Sequence, residues 1–261
     1  MEEYVGKRLK LSTQKGAFEG IMNQFDKKLG IISLQGQFGT EEFNFDEILS
    51  VNTIEENDEA IESVPLKEAD MYALFYEAFN IYGPFEDHFI FSAALSLKKF
   101  LRDLSSASVK IIIGSDDVFG RIGLCFARLA LGKTAYLSVD IKCDLFDLKT
   151  LQYKNALENS GGFFNLKSDA ANYSMRLFAC NRNFNFEAGG ETANQTILLD
   201  LPASIPFSNF TGIGLGFAPE NFSICNKFYY LLDVGFGPVL SKKYKIPSKY
   251  KNSLVKVDIS K

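Results

Sequence analysis

Over the first 56 residues apolar and polar positions alternate in short runs. Val5–Leu11 alternates, Ala17–Phe25 alternates after a Lys15-Gly16 turn, and Gly30–Leu34 follows a turn at Asp26-Lys27-Lys28. Glu42–Phe45 and Ile48–Ile54 complete five short strands. A period of two, broken by regularly spaced turns, predicts a small, strongly bent antiparallel barrel over residues 1–56. Residues 57–65 are acidic, poor in aromatics and end at Pro65, which reads as a short linker.

From Leu66 the period changes. Met71, Leu74, Phe75, Ala78 and Phe79, then Phe89, Ala93, Leu97 and Leu101, recur at three and four residues. That spacing marks helices over Leu66–Tyr82 and Glu86–Leu104. Val109–Ile113 reads as a strand, Leu124–Leu131 as a helix, Thr134–Val139 as a parallel-type strand and Leu145–Ser160 as a helix. Further apolar runs follow at Met175–Ala179, Thr196–Leu201, Gly212–Phe217 and Phe228–Val234. Strands alternating with helices predict an α/β sandwich whose strands are buried on both faces.

Between the Val109–Ile113 strand and its helix lies a glycine-bearing stretch with Gly114, Ser115, Asp116, Asp117, Gly120, Arg121 and Gly123. Strand, glycine loop and helix in that order form the usual phosphate cradle, because glycines admit the ligand and the helix start offers free N–H groups. Asp116 and Asp117 repel phosphate, and no Gly-Lys pair is present. The architecture is that of a ligand fold, and its residues argue against the ligand.

With 46% apolar residues and 25 Phe the chain has material for substantial aromatic cores. Its net charge of −4 does not make the molecule as a whole a nucleic-acid binder. Charge is uneven, however: Glu55–Glu62 is acidic, while Lys242, Lys243, Lys245, Lys249, Lys251, Lys256 and Lys261 make the C-terminal stretch basic. The four cysteines are widely spaced with no C-x-x-C, so reduced core thiols are expected. The N-terminus has no signal-peptide pattern and no run is long enough to span a membrane, which together predict an intracellular location. His88, the one histidine, follows Asp87 on the polar side of a helix start. Neither a metal site, a Ser/His/Asp set nor a Walker loop is expected.

The barrel resembles the Sm-like (LSm) fold on Gly6-x-x-Leu9-x-Leu11, Gly16-x-Phe18-Glu19-Gly20 and Phe25-Asp26. The second LSm signature is missing, with Phe43–Ile48 in its region, and Gly30 stands where the uridine-contacting Asn is usual. This looks like the divergent type that binds short protein motifs. From Leu66 onward the chain is similar to the YjeF N-terminal domain. The similarity rests on Glu86–Phe100, residues 109–128, Leu198-Leu199-Asp200-Leu201-Pro202, Gly214-Leu215-Gly216-Phe217 and Leu231-Leu232-Asp233-Val234-Gly235-Phe236. An LSm barrel followed by such a domain resembles the enhancer of mRNA decapping family.

The resemblance implies a multidomain chain: a small all-β Sm-like barrel (1–56), the short acidic linker (57–65) and a three-layer Rossmann-like α/β domain of YjeF N-terminal type (66–261). It implies a non-catalytic, dimeric scaffold of the decapping machinery, located in the cytoplasm and its processing bodies. Catalytic YjeF-type domains are epimerases of hydrated NADH and NADPH. They use an Asn-rich phosphate loop and a buried acid on the next strand. Here the loop has no Asn, and no acid lies between Ala170 and Phe186 where the catalytic Asp is expected. Catalytic residues, cofactor and metal are therefore expected to be absent. An epimerase-like enzyme with an appended barrel is the alternative, and an RNA-binding LSm protein is a third.

Phe38, Phe43, Phe45 and Ile48 are the candidates for holding a short helical motif of the decapping enzyme's catalytic subunit or its associates. Alternation puts Phe43 and Phe45 on one face, either exposed or filling the barrel. RNA is a further candidate partner, through Gly114–Gly123 with Arg121 at the cleft mouth, and through Lys242, Lys243, Lys245 and Lys249 with Tyr244 and Tyr250 to stack. A solvated charged tail is the plain alternative. The homodimer would use Glu86–Leu104 and the loop near Asn181–Asn185. The family's long stretch with a Phe-Asp-Phe motif for a DEAD-box helicase has no room in residues 55–65, so that recruitment is not expected.

Overall fold

The computed structural model describes residues 4–5, 8–13, 16–36, 39–53, 64–101, 104–164, 172–186, 192–202, 205–206, 210–225, 228–247 and 254–257. Phe38, Lys249, Tyr250, Lys251, Lys261 and most of the linker lie outside them. The chain divides into two units, Met1–Glu59 and Ala60–Lys261.

The first unit is an antiparallel sheet of β1 (Arg8–Thr13), β2 (Gly16–Asp26), β3 (Ile31–Gly36), β4 (Gly39–Asn44) and β5 (Ile48–Thr53), in the order β4-β3-β2-β1-β5. Alternation sends Leu9, Leu11, Met22, Ile32, Leu34 and Phe43 into one core. Register shifts between Met22 and Gln24 and between Ser12 and Thr13 sharpen the bend. Among the described residues no ladder joins β4 to β5, so these two are the sheet's edges.

Phe43 and Phe45 do not share a face, which corrects the sequence expectation. The strand ends at Asn44, and a 3-10 turn, Phe45–Glu47, begins there, anchored by the Phe45 N–H donating to Gly30 O at 2.7 Å. The alternation stops with the strand. Phe43 is 7% exposed in the core, and Phe45 is 47% exposed with its ring against Phe25. Ile48 packs part-buried at the core's margin.

The second unit opens with α1 (Glu68–Glu77), which runs into a π-helical turn, Ala78–Tyr82, and α2 (Glu86–Phe100). Then come β6 (Ser108–Ile113), α3 (Val118–Ala130), β7 (Tyr136–Ile141), α4 (Leu148–Asn159), β8 (Asn172–Ala179), β9 (Thr192–Leu199), β10 (Thr211–Gly214), β11 (Phe228–Leu232), α5 (Pro238–Tyr244) and β12 (Leu254–Val257). They build a seven-stranded sheet ordered β12-β11-β10-β9-β8-β6-β7, parallel except for β12. Helix α3 lies on the face that carries Ile111, Ile113 and Ala179. The opposite face, with Ile112, Phe178 and Leu198, packs into a core with Leu201, Phe210, Phe222 and Tyr229, flanked by Phe184, Phe186 and Ile205. Coil aromatics thus cover much of that face.

The chain winds from β6 through α3 to β7, then returns to lay β8 on the other side of β6. Such a reversal opens a crevice beyond the strands' C-terminal ends, the usual ligand position in open α/β sheets. Here it falls at Gly114 and Cys180. The basic C-terminal stretch is not a tail at its start: Lys242 and Lys243 lie in α5, Lys245 is its left-handed cap (φ 54°), and β12 pairs with β11. Among the described residues, no helix is long and apolar enough to cross a membrane.

Candidate functional site: the cleft at the sheet reversal

Helix α3 begins at Val118, six residues before the sequence-based start at Leu124. Gly120 and Gly123 are therefore helical, and the loop is only 114–117. The glycines are there for contact, not for ligand access. A Cβ on Gly120 would overlap the Ser115 carbonyl oxygen, and one on Gly123 would strike Ala179 and Ile113. They let α3 lie directly on the sheet, and the cap at Asp117 offsets their poor helix propensity.

The anion-holding end of α3 is occupied by the chain itself. Asp117 accepts from the Phe119 N–H at 2.9 Å, the Gly120 N–H at 3.4 Å and the Ser115 hydroxyl at 2.7 Å. Its other oxygen, Oδ2, accepts from Asn181 Nδ2 at 2.8 Å. Asp116 faces the loop after β7, taking the Phe146 and Asp147 N–H groups at 2.7 and 2.9 Å. Burial works against the Asp116 carboxylate, yet those N–H groups, with Thr150 and Arg121, hold its carboxyl below the usual range. Both loop aspartates are structural hydrogen-bond acceptors.

Arg121 does not stand at a cleft mouth, contrary to the sequence reading. It is 8% exposed and pairs with Glu86 of α2 and with Asp147, the cap of α4, at 3.1 Å. Its Nε donates to Thr150 Oγ1 at 3.0 Å. Glu86 also holds Lys149 at 2.9 Å, and Lys149 reaches Asp87 at 3.1 Å. The arginine is a buried tie among three helices. Lys243 pairs with Glu77, to which the Tyr244 hydroxyl donates at 3.1 Å, so both belong to the α1–α5 contact.

Above Gly114 sits a ring. A Cβ on Gly114 would lie 2.5 Å from Phe184 Cδ2 and 2.8 Å from Cys180 Cβ. Phe184 packs edge-on to Phe186 at 5.1 Å, and Phe186 edge-on to Phe178 at 5.0 Å. The backbone space that the cradle would give to a phosphate holds this aromatic cluster instead.

One buried acid lies outside the site residues that the sequence suggests. Asp200 follows β9, 3% exposed and with φ 79°. Its Oδ1 accepts from the Leu201 N–H at 2.9 Å, while Oδ2 is buried without a hydrogen-bond partner among the described residues. Arg182 Nε stands 3.8 Å away. Burial pushes the Asp200 carboxyl up to about 6, against the pull of the Arg182 guanidinium and of the Leu201 and Arg182 N–H groups, and Asp117 adds to the rise. Tyr72 of α1 feels burial and the charges of Glu68, Asp117 and Asp200, which raise its phenol further. An acid closing an apolar strand, Ile197-Leu198-Leu199-Asp200, was the available signal. In the sequence alone it reads as a turn residue of the Leu198–Pro202 motif.

The four cysteines are free. Burial raises the thiols of Cys125 and Cys143 to about 11 and that of Cys225 to about 12, and lifts Cys180 further, so none is a poised nucleophile. No cluster of three metal-ligating side chains occurs among the described residues.

The second unit shares its fold with the crystal structure of yeast ynu0, YNL200c: TM-score 0.53 at 14% identity, over 76% of this chain and all of that one. It thus has the YjeF N-terminal-type fold that its sequence motifs resemble. A putative zinc-binding dehydrogenase (gutB) from Clostridium scindens, at TM-score 0.25, 12% identity and coverage of 85% of this chain and 63% of that one, is too distant to support any argument. No curated protein matches the chain. A family profile does match residues 66–257, so the chain belongs to the family described as a domain of unknown function, DUF5096.

Proposed function

We propose that this chain is a non-catalytic, dimeric scaffold of the mRNA decapping machinery in cytoplasmic processing bodies. Its antiparallel unit is an LSm-type barrel that receives short helical motifs of the decapping enzyme or its associates, with Phe45 and Ile48 as the described candidates for contact. The α/β unit pairs two copies, so that weak motif sites act together. RNA is a second partner of that unit, taken up by the exposed Lys242 and Lys245 side of α5.

The observation that carries the reading is the ring of Phe184 on Gly114, beside a helix start already capped by Asp117. A cleft filled by its own chain and lined with structural carboxylates suits a module kept for its surface. The test combines light scattering of the full chain with capture of the purified decapping catalytic subunit. A two-copy mass and capture that Phe45→Glu abolishes are expected. A monomer that captures nothing overturns the reading.

Asp200 favours a second reading, an epimerase-like enzyme. A buried carboxyl titrating near neutrality is what proton transfer requires. Turnover of hydrated NADH by the full chain, lost in Asp200→Asn, would replace the scaffold reading with this one.

A further inference from the structure

The coil after β8 closes the cleft and touches both of its carboxylates. Asn181 reaches Asp117, Arg182 reaches Asp200 and, at 3.8 Å, Glu68, and Phe184 covers Gly114. Its internal bonds are short-range: the Phe184 N–H donates to Asn181 O at 3.1 Å and the Asn183 N–H to Asn181 Oδ1 at 3.0 Å. The segment lies outside the strands and is held to the unit by side chains, Asn181, Arg182 and the packed rings of Phe184 and Phe186, so it can lift as a piece without breaking a sheet ladder.

Two polar atoms beneath it are poorly matched. Asp200 Oδ2 and Arg182 Nε are both buried, and neither has a hydrogen-bond partner among the described residues, although they stand 3.8 Å apart. A desolvated carboxylate whose second oxygen is held only loosely, by the Arg182 N–H and a guanidinium 3.8 Å away, is less favourable charged than neutral. We propose that residues 181–186 form a removable strap across the cleft, with Phe184 as its plug and the buried Asp200 as a proton-operated latch. The device is independent of what the protein binds.

The direction follows from linkage. Asp200 holds its proton up to about pH 6 beneath the strap, against an ordinary value of 3.8. The closed form therefore binds the proton more tightly, acid favours closure, and a charged Asp200 at higher pH favours the open, solvated arrangement. The charged and titratable groups facing Asp200 or its arginine are Glu68 and Tyr72 from α1, Asp117 at the start of α3, Cys180 at the end of β8, Arg182 on the strap and Tyr229 from β11. None is a histidine, so the carboxyl dominates the pH response between 5 and 7.

The chain contains no tryptophan, so Phe184→Trp installs a lone reporter at the plug. Acrylamide quenching of its indole in the full chain should fall as pH drops from 7.5 to 5, the open fraction shrinking roughly tenfold. In Phe184→Trp with Asp200→Asn the indole should be shielded equally at both pH values. Should the tryptophan variant fold poorly, hydrogen exchange of the Asn181 side-chain amide, which donates to Asp117 across the cleft, reads the same opening in the unsubstituted chain once corrected for intrinsic rates. Protection that is independent of pH, that weakens in acid, or that keeps its pH dependence in Asp200→Asn overturns the proposal.

Discussion

Asn181 donates from Nδ2 to Oδ2 of Asp117 over 2.8 Å, tying the coil after β8 to the cap of α3. One carboxylate thus ends a helix, fixes its own loop through Ser115 and anchors a segment from another strand. Asp117→Ala should lower unfolding free energy by about 2 kcal/mol, at the upper end for a lost cap because two further donors, Ser115 and Asn181, are orphaned. Asn181→Ala should cost less, about 1 kcal/mol, since water can replace it on a part-buried oxygen. Urea denaturation of the two variants checks both the sizes and their order.

Arg121 illustrates a charge whose placement misleads. Set between two glycines, it suggests ligand contact; folded, it is the counter-ion of Glu86 and Asp147. Arg121→Ala should destabilise the second unit by about 3–5 kcal/mol, because Glu86 loses a buried partner. Arg121→Met with Glu86→Leu should recover most of that loss. A stability loss in the single variant that the double variant does not relieve would contradict the pairing.

The helix propensity of Gly120 and Gly123 points one way and their contacts another. Gly120→Ala should be strongly destabilising, because the obstacle is the Ser115 backbone oxygen and cannot swing aside. Gly237→Ala, where a methyl meets nothing within 4 Å, should leave the melting temperature unchanged within about 0.5 kcal/mol equivalent. Thermal melts of the pair separate close packing from a general glycine effect.

Much of the fold was legible in the sequence. The change from period two to three- and four-residue spacing at Leu66 marks the passage from the antiparallel sheet to the helices of the second unit, and Val109–Ile113 is an interior, parallel strand as its apolar run suggests. What was not legible depends on residues distant in sequence. Gly120 looks like a loop residue until Ser115 and β8 are set against it. Asp200 looks like a turn residue until the Arg182 segment covers it. Phe43 and Phe45 look equivalent until the strand stops between them, a boundary set by the Gly30 carbonyl fifteen residues earlier.

Asp200 makes stability depend on pH with a definite sign. Its carboxyl is raised from 3.8 to about 6 in the folded chain, so its contribution is fully present below pH 4 and is lost as pH rises through about 6. Asp200→Asn keeps an oxygen for the Leu201 N–H and removes the charge. Unfolding free energy at pH 7.5 should rise by up to about 3 kcal/mol, with little change at pH 4. Denaturation midpoints at the two pH values test this, and a variant destabilised at pH 7.5 would show that the carboxylate is better compensated than its bare oxygen indicates.

Phe43 and Phe45 give the cleanest separation of folding from binding in the first unit. Phe43 is core, so Phe43→Ala should cost about 3–5 kcal/mol through the cavity it leaves among Ile32, Leu34 and Leu9. Phe45 is half exposed, touching Phe25 with ring centroids 6.3 Å apart, and Phe45→Ala should cost about 0.5 kcal/mol or less. If this unit receives a helical motif, Phe45→Ala should weaken capture of the decapping subunit while leaving the denaturation curve in place. Phe43→Ala should impair both in proportion. Equal effects on stability from the two substitutions would mean that the outward aromatic is packed after all and is no candidate for contact.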